Sequence, residues 1–127
     1  MTTLDNFEVF DFSEGVPSIS ITQNGITFNK SVVLKLGCPE HVILLIDRAG
    51  KRIAIQECDA NTPKAVPFYK VKQSNVISVR WNGRDLLNTI QTITGWDLSK
   101  SGYRVEGELL REEHAMLFEL SKAVELK

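Results

Sequence analysis

The chain has 127 residues, of which 43% are apolar and 24% charged, and a net charge of −1. That composition belongs to one globular domain large enough to bury a core, and excludes both a disordered polyelectrolyte and a bundle of membrane spans. Balanced charge removes any global pull toward a polyanion, so nucleic-acid binding would have to come from a local patch.

Residues 7–12, FEVFDF, are aromatic and β-prone and predict a first strand, punctuated by Gly15 and Pro17. Residues 18–22 alternate, with Ile19 and Ile21 on one face, and 26–28 resume the alternation after Asn24-Gly25. An Asn-Gly pair between alternating runs predicts a hairpin with a type I′ turn, because both residues tolerate positive φ. Asn29 is placed to cap a helix over 30–36, which Gly37 and Pro39 terminate. Val32, Val33 and Leu36 form its apolar stripe, but two turns of helix hold only when packed.

The continuous apolar run 42–46 predicts a strand buried on both faces, and it is too short to cross a bilayer. A polar turn, 47–51, leads into an antiparallel return over 52–56. Residues 57–67, ECDANTPKAVP, carry two prolines and no periodicity and read as a linker. Strands are expected over 68–72 and 76–81 with a turn at 73–75, and Asn82-Gly83 then opens a helix over 84–94. There Leu86, Leu87, Ile90 and Ile93 give a helical stripe, and Gly95 closes it. A last hairpin is expected from 103–110 and 115–120 around the turn 111–114.

The order of elements in 25–55 recurs in 76–120, with Phe28-Asn29 matched by Trp81-Asn82. Units this small cannot bury their own apolar faces. The expectation is therefore one domain over 1–127 made of two repeats, 18–56 and 68–120, that close on each other across the linker.

Residues 25–55 resemble the AbrB/MazE/MraZ family of bacterial DNA-binding and antitoxin proteins. Ile26-Thr27-Phe28-Asn29 stands where that family has its short isoleucine-threonine-isoleucine-proline run. Residues 30–37, KSVVLKLG, stand for the helix ending in leucine-glycine, and 42–55 for the apolar hairpin with a charged turn. The resemblance implies a β-rich α+β fold of two pseudo-symmetric strand–helix–hairpin repeats that interleave as a swapped-hairpin barrel, within one chain as in the MraZ type. It implies a DNA-binding transcription regulator or antitoxin-like protein. Three departures mark the chain: Asn29 in place of proline, no arginine beside Asn24-Gly25, and a second copy with a longer helix and an inserted loop at 96–102. The alternative architecture is a duplicated curved sheet with both helices on one face, as in the TATA-binding fold. The two differ in whether the hairpin 42–55 joins the other half or stays within its own.

The residues with nucleic-acid chemistry are Lys30, Arg48, Lys51 and Arg52 in the first repeat and Lys70, Lys72, Arg80 and Arg84 in the second. Related by a pseudo-twofold, they would offer phosphates two basic surfaces. The plainer reading makes them solvated strand faces and turn tips among equal numbers of acids. Glu106 and Glu108 share a strand face, and Glu112 and Glu113 sit in a turn. They read as charges guarding an edge hairpin rather than an acid–base pair. Cys38 and His41 form C-x-x-H, but zinc needs four ligands and Cys58 and His114 lie far off in sequence. No nucleophile elbow or Gly-rich phosphate loop occurs. Trp81 reads as core because it matches Phe28, whereas Trp96 in the inserted loop is expected to be partly exposed.

No enzyme, cofactor or metal site is expected. Two cysteines make no disulfide framework, and the N-terminus lacks a basic n-region and an apolar h-region, so the expectation is a cytoplasmic bacterial protein with reduced thiols. The alternative function is a non-enzymatic protein-interaction module that kept the scaffold and lost DNA binding. The partner classes are therefore double-stranded DNA and protein, with no membrane, for a monomer or for a homodimer joined through 7–12.

Overall fold

A computed structural model describes residues 3–8, 15–70 and 77–126. The chain runs β1 (Ser18–Thr22), β2 (Gly25–Phe28), α1 (Lys30–Lys35), β3 (His41–Asp47), β4 (Arg52–Glu57), β5 (Val66–Pro67), β6 (Val79–Trp81), α2 (Arg84–Thr94), β7 (Gly102–Leu110), β8 (Ala115–Glu119) and β9 (Val124–Leu126). All strands pair antiparallel in one curled sheet, a half-barrel carrying two helices, so the molecule is a β-rich α+β fold. The order across the sheet is β5-β3-β4-β8-β7-β1-β2-β6, with β9 also against β7.

Alternation along the strands builds the core. Ile19, Ile21, Ile26, Phe28, Val42, Ile53, Ile55, Val105, Met116 and Phe118 all face inward and are buried. Most of their strand neighbours in sequence are more exposed, as the period of two requires, while Ser18, Gly25 and Ala115 at strand starts are buried as well. The helices add Val32 and Val33 from α1 and Leu87 and Ile90 from α2.

The hairpin β3–β4 pairs onward with β8: Ala54 of β4 is in register with Leu117. In the same way β1 pairs with β7, and β2 pairs with β6, where Thr27 faces Arg80. Read outward from the β4–β8 junction, each hairpin gains one further strand, β5 on β3 and β1 on β7. The two hairpins also turn alike. The fourth residue of each turn, Lys51 or His114, is left-handed at φ 55° or 52°. Its N–H donates to the carbonyl three residues back, on Arg48 or Arg111, at 3.3 or 3.2 Å.

Several expectations are corrected. The first turn is Gln23–Asn24, because Thr22 is in register with Gly25. Neither loop residue has positive φ, so the turn is not type I′. Gly25 is instead the first strand residue, at φ 140°, where a Cβ would collide with the Trp81 carbonyl oxygen. The first helix stops at Lys35, with Leu36 as its C-cap. The stretch read as linker ends in β5, which pairs with β3; Pro67 is tolerated because β5 is an edge strand. Leu45 and Ile46 are 44% and 37% exposed, so β3 is not buried on both faces. The strand β7 that carries Glu106 and Glu108 is central, flanked by β1, β8 and β9, and the two acids simply point outward. Phe7 and Glu8 of the expected strand 7–12 are not in a strand, and 9–12 lie outside the described residues. Residues 68–70 of the expected strand 68–72 are likewise irregular, and 71–75 lie outside the described residues. Among the described residues, the strand expected over 76–81 is observed over Val79–Trp81 alone.

Candidate functional site

The two ends of the strand order, β5 and β6, lie beside one another without pairing among the described residues. Between them runs a groove of ≈ 790 Å³, a size that suits a small ligand or a short peptide segment. The chain from Val66 to Lys70 makes one wall and that from Ser78 to Gly83 the other, with Leu44 and Leu86 completing the lining.

Local sequence sets this geometry. Phe68 and Tyr69 are tied to the chain before β3, their N–H groups donating to the carbonyls of Glu40 and Pro39 at 2.8 and 3.0 Å. Across the groove, β6 is fixed by its ladder to β2. The floor is aromatic: Phe28 lies edge-on to both Phe68 and Trp81, with ring centroids 5.3 and 4.8 Å apart. Phe68 and Trp81 approach each other at 6.1 Å, again edge to face, the arrangement that aromatic quadrupoles favour. Phe68 is buried, while Trp81 and Tyr69 keep part of their surface open.

Among the described residues, the charged side chains of the lining are Lys70 and Arg80, with no carboxylate beside them. Arg80 is positioned by a bond from its guanidinium to the Asn24 carbonyl at 3.2 Å. Arg84 follows directly as the exposed first residue of α2. The structure thus brings Lys70 and Arg80 together and sets Arg84 one residue beyond the lining.

The other basic residues do not join them. Lys30 opens α1, and Arg48 and Lys51 are exposed at the β3–β4 tip. Arg52 is held by Asp47 through two guanidinium contacts, at 2.7 and 3.1 Å. The Gly50 N–H, and after it Arg52, keep the Asp47 carboxyl below its ordinary value, so this positive charge is largely cancelled. Lys72 lies outside the described residues. The equivalent tip on β7–β8 carries Arg111, Glu112, Glu113 and His114, so the two tips do not repeat a basic face.

Cys38 and Cys58 are free and half-buried, and among the described residues no cluster of His, Cys, Asp and Glu is arranged to hold a metal ion. Trp96 is half-buried with one face covered by Tyr103, stacked at 4.0 Å. Among the described residues no helix is long and apolar enough to cross a membrane.

Sequence reasoning had named Lys70, Arg80 and Trp81 separately, but not as neighbours. It missed Phe68, Tyr69 and Leu86 as groove residues. The one usable signal was the dense aromatic and basic content of 68–70 and 80–81. Comparison with protein-family models, curated proteins and solved structures gives no match for this chain.

Proposed function

We propose that the chain is an internally duplicated scaffold of two interleaved strand–helix–hairpin units that works as a non-enzymatic protein-interaction module. Its docking surface is the groove between β5 and β6. One observation carries the reading: among the described residues, an aromatic floor lies between two unpaired strand edges, and every charge in the lining is positive. An extended segment entering there would add main-chain hydrogen bonds to open edges, bury apolar side chains on Phe68 and Trp81, and place acids against Lys70 and Arg80.

The test is a fluorescence titration, since Trp81 lines the groove and Trp96 is the only other tryptophan. Extended peptides with one apolar pattern and either acidic or basic flanks are compared with duplex DNA. Saturable binding of the acidic peptide, abolished by Arg80→Glu, is the expected result. Equal binding of both peptides, or of neither, would end the reading.

A DNA-binding transcription regulator or antitoxin-like protein is the second reading. The strand order supports it, because hairpins from the two halves meet at β4–β8 as the AbrB-like resemblance implies. Anisotropy with genomic fragments at low salt tests it: binding that weakens steeply as salt rises would favour DNA. The unequal charge of the two hairpin tips favours the protein partner.

A further inference from the structure

We propose that the groove is filled by the N-terminal segment of a second copy of this chain, in a reciprocal exchange; this rests on the groove being a protein-docking surface. Leu4 and Phe7 are 67% and 71% exposed, and Phe7 is the most exposed of the large apolar side chains described. A bond from the Phe7 N–H to the Leu4 carbonyl at 3.0 Å closes a turn between them, with Asp5 and Glu8 alongside.

Charge supports the match independently. Residues 1–29 contain four acids, Asp5, Glu8, Asp11 and Glu14, and no lysine, arginine or histidine. The described groove lining has the opposite bias, Lys70 and Arg80 with no acid. A chain of net charge −1 has therefore placed an all-acidic, aromatic-rich segment at one end and an all-cationic aromatic groove in its body.

Among the described residues of one copy neither surface covers the other, because Leu4 and Phe7 lie open and take no part in the lining. Two copies related by a twofold axis satisfy both at once. Each arm enters its partner's groove, and the assembly closes as a dimer with no arm or groove left over. The apolar pair would sit against Phe68 and Trp81, and Glu8 near the Arg80–Lys70 rim.

Sedimentation of the 127-residue chain over a wide concentration range tests this, alongside a variant lacking residues 2–8 and the single variants Phe7→Asp and Arg80→Glu. The full chain is expected to be a dimer that dissociates on dilution. Each single change should weaken dimerisation roughly thirtyfold, as for loss of an interface hot spot. An equimolar mixture of Phe7→Asp and Arg80→Glu should recover part of the dimer, because one intact arm and one intact groove remain. Phe7 is exposed, so its variant tests the idea even where Arg80→Glu perturbs folding.

An unaltered chain that stays monomeric, or a dimer indifferent to loss of residues 2–8, would overturn the proposal. So would a concentration-independent change in Trp81 fluorescence on deleting the arm, which would place the arm in its own groove. The deletion variant is also titrated with the acidic peptide. Binding there without dimerisation of the parent would defeat arm exchange while leaving the docking groove standing.

Discussion

The two halves begin their helices in opposite ways. In the first, the Asn29 side chain accepts from the N–H groups of Val32 and Ser18, both at 3.1 Å, and donates to the Val16 carbonyl at 2.9 Å and the Ser18 hydroxyl at 3.1 Å. One residue therefore caps α1 and anchors the start of β1. In the second, Gly83 caps α2 with no side-chain bond. The longer helix is secured from its far end instead, where the Gln91 side-chain oxygen accepts from the Leu98 N–H of the inserted loop at 2.7 Å. β1 and β2 pair with each other ahead of α1, whereas β6, ahead of α2, pairs with β2 and, among the described residues, not with β5.

The sharpest way to break this comparison is to remove its hinge. Phe28 is completely buried and touches Phe68, Trp81 and Phe118, so it bridges both halves. Phe28→Ala should cost about 3–5 kcal/mol in a urea unfolding series, the range for deleting a core aromatic. A cost below that of an ordinary surface change would mean that the two halves do not share a core.

Gly25→Ala should come next, at about 2–3 kcal/mol, because a Cβ there meets the Trp81 carbonyl at an unfavourable φ. Gly37→Ala is its control: φ is also positive, but no atom lies in the way, and roughly 1 kcal/mol is expected. Equal effects would remove the argument that close approach of β2 to β6 selects Gly25.

Asn29→Ala should cost about 1–2 kcal/mol through the lost cap and the unsatisfied Ser18 N–H. Asn82→Ala, at the matching position, should stay within about 0.5 kcal/mol. Thermal melts of the pair measure the asymmetry directly.

The smallest effect concerns the hairpin tips. Asp47 accepts from the Gly50 N–H at 2.9 Å and from Arg52, and its pKa is lowered. A carboxylate with a lowered folded pKa contributes above the ordinary carboxylate range and loses that contribution as pH falls through its lowered value. The Gly50 amide should therefore exchange faster only in that acidic window. The opposite tip is held by the Gln56 side-chain amide, which donates to the Glu113 carbonyl at 2.8 Å and does not titrate. Its amides should not follow the same acid transition, and amide exchange by NMR separates the two.

Legibility in the sequence followed the range of the interactions. Asn29 as a cap, Gly37 and Gly95 as left-handed helix ends at φ 82° and 81°, and the stripe Leu87–Ile90 on α2 were all readable because each depends on neighbours a few residues away. The type I′ turn was misread because the register of Thr22 with Gly25 is set by strand pairing, and the choice of glycine by Trp81 from the other half. β5 was hidden in a proline-bearing stretch because a two-residue strand has no periodicity of its own. Glu106 and Glu108 were assigned to an edge because nothing local announces that β7 has neighbours on both sides.

The sequence alone determined much of the local alphabet: the extended segments of β1 to β4, β7 and β8, the capped start of α1, the span of α2, and which of their side chains alternate inward. Backbone sterics and short-range hydrogen bonds suffice for that. Only the tertiary structure decided that β4 meets β8, that β2 meets β6, and that β5 and β6 end the sheet facing one another. Those pairings bring together residues more than fifty positions apart, such as Thr27 with Arg80 and Ala54 with Leu117. Their stability comes from burying apolar surface shared by both halves, a quantity that no segment carries by itself.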